Sequence, residues 1–427
     1  MSRFRSLTCI CGVLQFRRQE ASFICLEHLG FQAAPSNWTS SSALVFRHHA
    51  PRLGGRGNQF QHVDLDTWLA VTRSPARFHL FITFPLSHLL YVVVGGGLLH
   101  QTMASHTAQD LILEHPTNPI HNPLYMTDSD KRWARNYKPI VNATCRTMVG
   151  SDGVTYANFD EAFLPLYEDD NLRLRQPAEP PNSRKWRFET EADCENWFNT
   201  EIVNVVLSAW NRYPSILQSS HNKPPSEENI PENIDSIFTF KSQGAKRVLV
   251  IGEIKRNLIK HTIWQRGNPS SSASQKKLSQ ELRGYAHKYQ CPQVFCFDGA
   301  VLLLLQFRAE KSEDIEKESC PVDCWVLPME QTACPLRLAF YRLLSQGWRR
   351  CQAELTTPFT VGGLTPHSRE FFNGLPVWKH EGKKTRSHPL GYQRSVHAAT
   401  GALIWIRDEN EGEVEWETDA FWERIEA

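Results

Sequence analysis

The sequence predicts an α/β protein in which a central mixed β-sheet is flanked by helices and followed by a C-terminal helix and β-hairpin. Three observations predict it. Residues 190–217 and 274–290 carry apolar side chains at helical spacing. Between them, Asn233 to Lys255 reads NIDSIFTF, KSQGAKR, VLVIGEIK, two β-branched apolar runs around a polar link containing Gly244. That is a hairpin pattern. After the second helix come CPQVFCFDG and AVLLLLQF, largely apolar without alternation as strands buried on both faces are, then CPVDCWVLP. Helix, two strands, helix and further strands make an α/β order.

Bulk properties bound the rest. A chain of 427 residues is long enough for two or three domains and one large core. A net charge of +1 carries no global signature of a nucleic-acid binder, so any basic surface is local. Eleven cysteines, an odd number at irregular spacing, point to free thiols in an intracellular compartment, nucleus or cytoplasm. Cys320, Cys324, Cys334 and Cys351 lack the paired spacing of a zinc site and read as core thiols.

Taken in order, residues 1–102 show no consistent period. They read as a poorly structured or wrongly assigned stretch, with the native start expected at or near Met103. Their one long apolar run, Phe78 to His100, is long enough to cross a bilayer, but His79, Pro85, His88 and three consecutive glycines argue against a membrane helix. Residues 103–187 form a lead-in segment and linker, and residues 188–350 the core. In the first core helix Thr190 is the expected N-cap, and Phe198, Ile202, Val205, Val206 and Ala209 form the buried stripe, with Glu201 beside it. In the second, Ser274 is the expected cap, and Leu278, Leu282, Tyr285, Ala286 and Tyr289 are buried. Gln275, Lys276, Gln280 and Arg283 lie off that stripe, and Gly284 is expected to let the helix pack closely on the sheet. Between hairpin and helix, Arg256, Lys260, His261 and Arg266 form a basic stretch suited to phosphate. A third helix spans 334–350, ending near Gly347. In the 351–427 extension, residues 357–385 read as loop and ALIWIR/EVEWET as a hairpin, with Trp405 and Trp416 available for cross-strand packing.

The chemistry concentrates on the hairpin. With a three-residue loop, antiparallel pairing sets Asp235 opposite Glu253, so Asp235, Glu253 and Lys255 share one face. With a two-residue loop Asp235 falls on the other face. Two neighbouring carboxylates repel unless a cation lies between them. An all-oxygen site of this kind suits Mg²⁺, and a lysine beside it can orient water and stabilise charge on phosphorus. The plainer alternative is that Glu253 and Lys255 are the polar end of a buried strand.

The stretches EADCENWFNTEIVNVVLSAW, NIDSIFTF, VLVIGEIKR, SQKKLSQELRGYAHKYQCPQVFCFDGAVLLLLQF and CPVDCWVLP resemble the PD-(D/E)XK, restriction-endonuclease-like superfamily, and within it a filamentous-fungal group. The superfamily's Asp, Glu and Lys match Asp235, Glu253 and Lys255; Ile234 stands where the pattern often has Pro. The resemblance implies a restriction-endonuclease-like core and a Mg²⁺ ion, or Mn²⁺, held by Asp235 and Glu253. It also implies a metal-shell glutamate on the first helix, Glu201 before Glu195, and a polar residue of the second helix, Gln280, in the site. The implied activity is nuclease cleavage of nucleic acid, DNA before RNA. The alternative is a catalytically inactive nuclease fold that binds nucleic acid or protein. No feature indicates an oligomeric state.

Overall fold

Why the hairpin brings its acids together is answered by a bulge. A computed structural model describes residues 106–181, 185–211, 216–222, 233–242, 245–407 and 413–420, with seven strands inside residues 1–102. Strand β3 (Ile234–Ser242) pairs antiparallel with β4 (Ala245–Ile254) from Ser242↔Ala245, leaving a two-residue link. Uninterrupted, that register would turn Asp235 away from Glu253. Phe238 pairs with Val250 but Thr239 with Val248, so Leu249 is an extra residue on β4. The bulge restores the alternation. Ser236 lies opposite Gly252, and continuing the register sets Asp235 opposite Glu253.

The hairpin belongs to a seven-stranded mixed sheet. The other strands are β1 (Ala143–Cys145), β2 (Leu217–Asn222), β5 (Gln293–Phe297), β6 (Val301–Phe307) and β7 (Val322–Pro328), in the order β1-β7-β6-β5-β4-β3-β2. β4 and β5 are parallel, as are β1 and β7; the remaining neighbours are antiparallel. A parallel pair needs a crossover, and the helix α2 (Ala273–Lys288) supplies it between β4 and β5.

The sheet is apolar on both faces, and alternation sorts its residues. Leu302, Leu304, Phe295 and Phe297 face one layer, and Val301, Leu303, Leu305 and Val294 the other. The first layer holds α1 (Glu191–Trp197), its continuation through a π turn at Phe198–Val203, and α3 (Leu336–Glu354). Thr190 and Asp193 cap α1 reciprocally, as a capping box does. α3 runs through Gly347, where a Cβ would lie 2.3 Å from the Leu249 carbonyl oxygen, so the helix backbone rests directly on β4. The second layer holds α2, with Leu278, Leu282, Tyr285 and Ala286 buried.

Several expectations change. Gly284 does not face the sheet: its Cβ would meet Trp133 at 2.4 Å, so the close approach is to the lead-in segment. Ser272, not Ser274, caps α2. Residues 357–385 are not simple loop; Pro366–Arg369, Pro376–His380 and Lys383–Thr385 form a three-stranded sheet. Gln393–Val396 joins the terminal hairpin Leu403–Ile406/Val414–Trp416. There Trp405 faces Glu415 and is buried, while Trp416 faces Ile404 and is exposed, so the two indoles do not pack together.

The chain divides into two units, Met1–Thr102 and Met103–Ala427. In the first, the apolar run holds two paired strands, Phe78–Thr83 and Leu89–Val94, in place of one helix. Their valines and isoleucine favour strand. Among the described residues no helix is long and apolar enough to cross a membrane.

Beneath α3 lies a fully buried ion network. Arg173 reaches Asp169 and Asp170 at 2.5 Å each, and Arg349 pairs with both. Tyr341 Oη donates to Asp170 at 2.7 Å and Ser345 Oγ at 3.0 Å. Burial works to raise the Asp170 pKa, but Arg173 and Arg349 prevail and hold it well below the carboxylate range. A carboxylate whose folded pKa is depressed contributes stability above its unfolded pKa and loses it as pH falls through the folded value. Asp170→Asn is therefore expected to cost about 3–5 kcal/mol near neutral pH and to flatten the loss of stability in acid. Urea unfolding of both proteins between pH 7 and pH 3 measures this; parallel curves would contradict it.

Candidate active site

The site forms where the end of β4, the N-terminus of α1, the middle of α2 and the lead-in segment meet. Glu253 and Lys255 come from β4 and its exit, on the face turned to α2, two residues apart as strand alternation requires. Glu253 is 1% exposed. Its Oε1 accepts from Lys255 Nζ at 2.5 Å and from Lys131 Nζ at 2.9 Å. Asp235, half-buried at the start of β3, accepts the backbone N–H of Ile254 at 2.7 Å. The three residues singled out in the sequence therefore lie at one end of the sheet.

A second buried acid completes the centre. Glu281 of α2 lies 2.9 Å from Lys131 Nζ and 3.4 Å from Lys255 Nζ through its Oε1. Its Oε2 accepts from Ser129 Oγ. Glu191, in the first turn of α1, approaches Lys255 Nζ at 3.9 Å. Tyr285 Oη takes a hydrogen bond from Lys131 and donates to the Asn233 carbonyl at 2.8 Å. Two lysines thus stand among four carboxylates.

Burial and charge divide the protons. Burial drives the Glu253 carboxyl up, with Asp235 and Glu281 adding to the rise against the pull of Lys255. Burial also works to raise Glu281, but Lys255 and Lys131 outweigh it and hold Glu281 low. Burial would lower both lysines; Glu253 and Glu281 prevail and hold each ammonium charged above its ordinary range. Glu191 is raised, chiefly by burial.

One feature separates this cluster from a closed ion-pair network. Among the described residues, the buried carboxylate oxygens without a hydrogen-bond partner belong to Glu191 (Oε1), Glu253 (Oε2) and Glu281 (Oε1). Glu281 Oε1 nonetheless forms an ion pair with Lys131 Nζ at 2.9 Å, and Glu191 Oε1 lies 3.9 Å from Lys255 Nζ. Carboxyl oxygens are the donor type a hard divalent cation takes once they are ionised. In donor type the residues fit Mg²⁺ or Mn²⁺. In spacing the lysines stand between them, and no group of three His, Cys, Asp or Glu among the described residues converges on one point.

Two expected site residues lie elsewhere. Glu201 is buried in the opposite layer, where it accepts from Trp186 Nε1 at 3.1 Å and pairs with Arg337 at 3.4 Å. It sits ten residues beyond Glu191, about 15 Å along a helix, so one helix cannot bring both to the site. Glu191 is the acid that α1 presents. Glu195, on the same helix, is half-buried. Gln280 donates to the Tyr137 carbonyl at 2.8 Å and holds the lead-in segment; its neighbour Glu281 points into the site. Glu281 follows Leu278 by three residues and precedes Tyr285 by four, inside the apolar stripe, and that placement was the signal. Lys131 and Ser129 carried no comparable signal, because they come from a segment more than 120 residues upstream.

The basic stretch divides as well. Arg256 is buried and donates to the carbonyls of Asn122 at 2.9 Å and Phe188 at 3.3 Å, so it fastens the lead-in segment instead of meeting phosphate. Lys260, His261 and Arg266 are exposed. Gln275, placed off the stripe, is buried and accepts from Trp264 Nε1 at 2.8 Å. The described cysteines are free thiols, all buried except half-buried Cys145.

Comparison with protein-family models, with curated proteins and with solved structures finds no match.

The relocation of Glu201 has a direct test. Glu201→Gln leaves Arg337 buried without its anionic partner and is expected to cost about 1–3 kcal/mol in urea unfolding. It should leave Mn²⁺ binding unchanged, whereas Glu191→Gln and Glu281→Gln should weaken it. A matching loss of Mn²⁺ affinity in Glu201→Gln would return that residue to the site.

Proposed function

We propose that the protein is a divalent-metal-dependent nuclease of the PD-(D/E)XK, restriction-endonuclease-like type, hydrolysing a phosphodiester of nucleic acid, with DNA as the first substrate to test. The observation that carries this reading is the gathering of the buried acids Glu253 and Glu281 with Asp235 and Lys255 at one sheet end. The element order supports it: helix, three antiparallel strands, crossover helix, then a strand parallel to the one bearing Glu253 and Lys255.

In this reading Asp235 and Glu253 hold the metal, with Glu191 and Glu281 close by. A divalent ion bound there supplies Lewis-acid activation of water and neutralises charge on the phosphate. Lys255, a donor fixed in the ammonium form, orients the attacking water and stabilises negative charge on phosphorus. The water oxygen bonds to phosphorus as its proton passes to solvent, and the bond to the leaving sugar oxygen breaks, that oxygen taking up a proton from solvent. Exposed Lys260, His261 and Arg266 offer phosphate contacts near the exit of β4.

A second reading is favoured by the position of the lysines between the acids: a catalytically inactive nuclease fold that binds nucleic acid or protein. The two readings separate in one assay. Plasmid and single-stranded DNA incubated with the wild-type protein and Mg²⁺ or Mn²⁺ should be cut, and Glu253→Gln and Lys255→Ala should each cut at least about 100-fold more slowly. Cleavage unchanged in both variants would remove the assignment. Retention of DNA on a gel with no cleavage under either metal would favour the inactive fold.

A further inference from the structure

Away from the acids, two cysteines meet at one edge of the sheet. β1 is the edge strand, and its parallel register on β7 sets Cys145 directly opposite Cys324. Residues opposite one another in a sheet point to the same face. Adjacent strands run about 4.8 Å apart, inside the roughly 4.4–6.8 Å that a disulfide spans between Cα atoms. The register is fastened on both sides of the pair. Ala143 N–H donates to the Gly267 carbonyl and Arg146 N–H to the Cys324 carbonyl, each at 2.8 Å, and Arg146 Nε pairs with Asp323 at 2.7 Å. A bond between the two sulfurs can therefore form without moving the backbone.

The two thiols are unequal. Cys324 is buried, with its Sγ 3.8 Å from the Trp264 carbonyl oxygen, while Cys145 is half-buried on the edge strand. As a thiol, Cys145 can donate to the Thr147 carbonyl at 3.5 Å; as a thiolate it can accept from Thr147 Oγ1 at 3.2 Å. That hydroxyl oxygen already accepts from Val326 N–H at 3.3 Å, which leaves its proton for the sulfur. A hydrogen bond from Cys324, with the help of Thr147, draws the Cys145 thiol down to about 6 against the effect of burial. The other described cysteines go the opposite way. The bond to Cys145, and then burial, hold the Cys324 proton on, and burial raises the other six. A reachable thiolate beside a buried thiol is the arrangement of an attacking cysteine and its resolving partner.

We propose that Cys145 and Cys324 are a peroxide-reactive dithiol that closes to a disulfide between β1 and β7. The Cys145 sulfur attacks one oxygen of hydrogen peroxide: an S–O bond forms, the O–O bond breaks, and the departing oxygen takes up the proton that Cys145 released and leaves as water. The Cys324 sulfur then attacks the Cys145 sulfur: an S–S bond forms, the S–O bond breaks, and the second oxygen leaves as water with the Cys324 proton. Two electrons pass from the sulfurs to the peroxide, and a dithiol reductant reverses the change. The proposal is independent of what the acid site does, but the bond would bear on its frame. The strap of chain that carries Ser129 and Lys131 to the acids is tied at Ile140, whose N–H donates to Ser279 Oγ at 3.1 Å, and then runs into β1. The disulfide would join the far end of that strap covalently to the sheet.

The test treats the reduced full chain with hydrogen peroxide at neutral pH and digests it without reductant for mass spectrometry. The expected product is a peptide pair joined through Cys145 and Cys324 and separated again by dithiothreitol. Free Cys145 should disappear at least about tenfold faster than the six other described thiols. In Cys324→Ser, with urea unfolding to check that the variant is folded, Cys145 should instead collect as a sulfenic acid trapped by dimedone. In Cys145→Ser, Cys324 should stay reduced. The wild-type digest stands by itself if a variant does not fold. A Cys145 that oxidises no faster than the buried thiols, that joins any cysteine other than Cys324, or that stops at sulfenic acid in the wild type overturns the proposal. So does oxidation of Cys324 in Cys145→Ser at the wild-type rate.

Discussion

The desolvated carboxylate of Glu253 is the constraint on which the site end of the fold depends. A strand exit packed against a helix has no water to solvate a charge, and an isolated carboxylate there would simply take up a proton. The chain answers with cations delivered from two directions. Lys255 arrives two residues later on the same strand face, and Lys131 arrives from the strap. Each in turn needs Glu281 from α2. The positions of strand, crossover helix and lead-in segment are thereby tied to one another through charge as well as through apolar packing. Removing any single partner leaves another group buried and uncompensated, which costs far more than the pair contributes when intact.

The two faces of the sheet divide the labour. On the α1/α3 face, aromatic packing dominates: Phe198 stacks on Phe295 at 5.0 Å and Trp197 on Phe297 at 5.3 Å. Buried charges of that layer pair off, Asp169 and Asp170 with Arg173 and Arg349, and Glu201 with Arg337. On the α2 face the charges are not sorted into separate pairs: Lys131 and Lys255 both meet Glu253 and Glu281, while buried Arg283 donates to the backbone carbonyl of Ile315. A net charge of +1 for the whole chain gives no hint of this buried cluster, so overall charge says little about where the chemistry sits.

How much of this was legible follows from the range of each interaction. Asp235, Glu253 and Lys255 were readable because strand alternation has a period of two and fixes the face over short distances. Their register was not, since one bulged residue at Leu249 reverses the conclusion drawn from loop length alone. Helical position was readable to within a face but not to within a residue. Glu281, inside the apolar stripe of α2, is the acid in the site, and Gln280, one position away, is not. On α1 the expected acid was Glu201, then Glu195; that Glu191 is the one beside Lys255 depends on which end of the helix meets the sheet exit, a tertiary fact. Lys131 lay beyond reach altogether: nothing local in SDKRW distinguishes a site lysine from a solvated one.

The energetics bear on what such a cluster is for. A buried ion network that serves only the fold can be replaced by apolar side chains at little or no cost in stability. The Asp170 carboxylate is supplied by Arg173, Arg349, Tyr341 and Ser345, although Arg173 Nε and Arg349 Nε in the same network lack a hydrogen-bond partner. The site cluster is held differently: Glu253 Oε1 receives both ammonium donors, Oε2 receives neither, and the carboxyl shares a hydrogen bond with Glu281. That contact between two acids fits the division of their protons, Glu253 raised by burial, and Glu281, which burial would also raise, held low by Lys255 and Lys131.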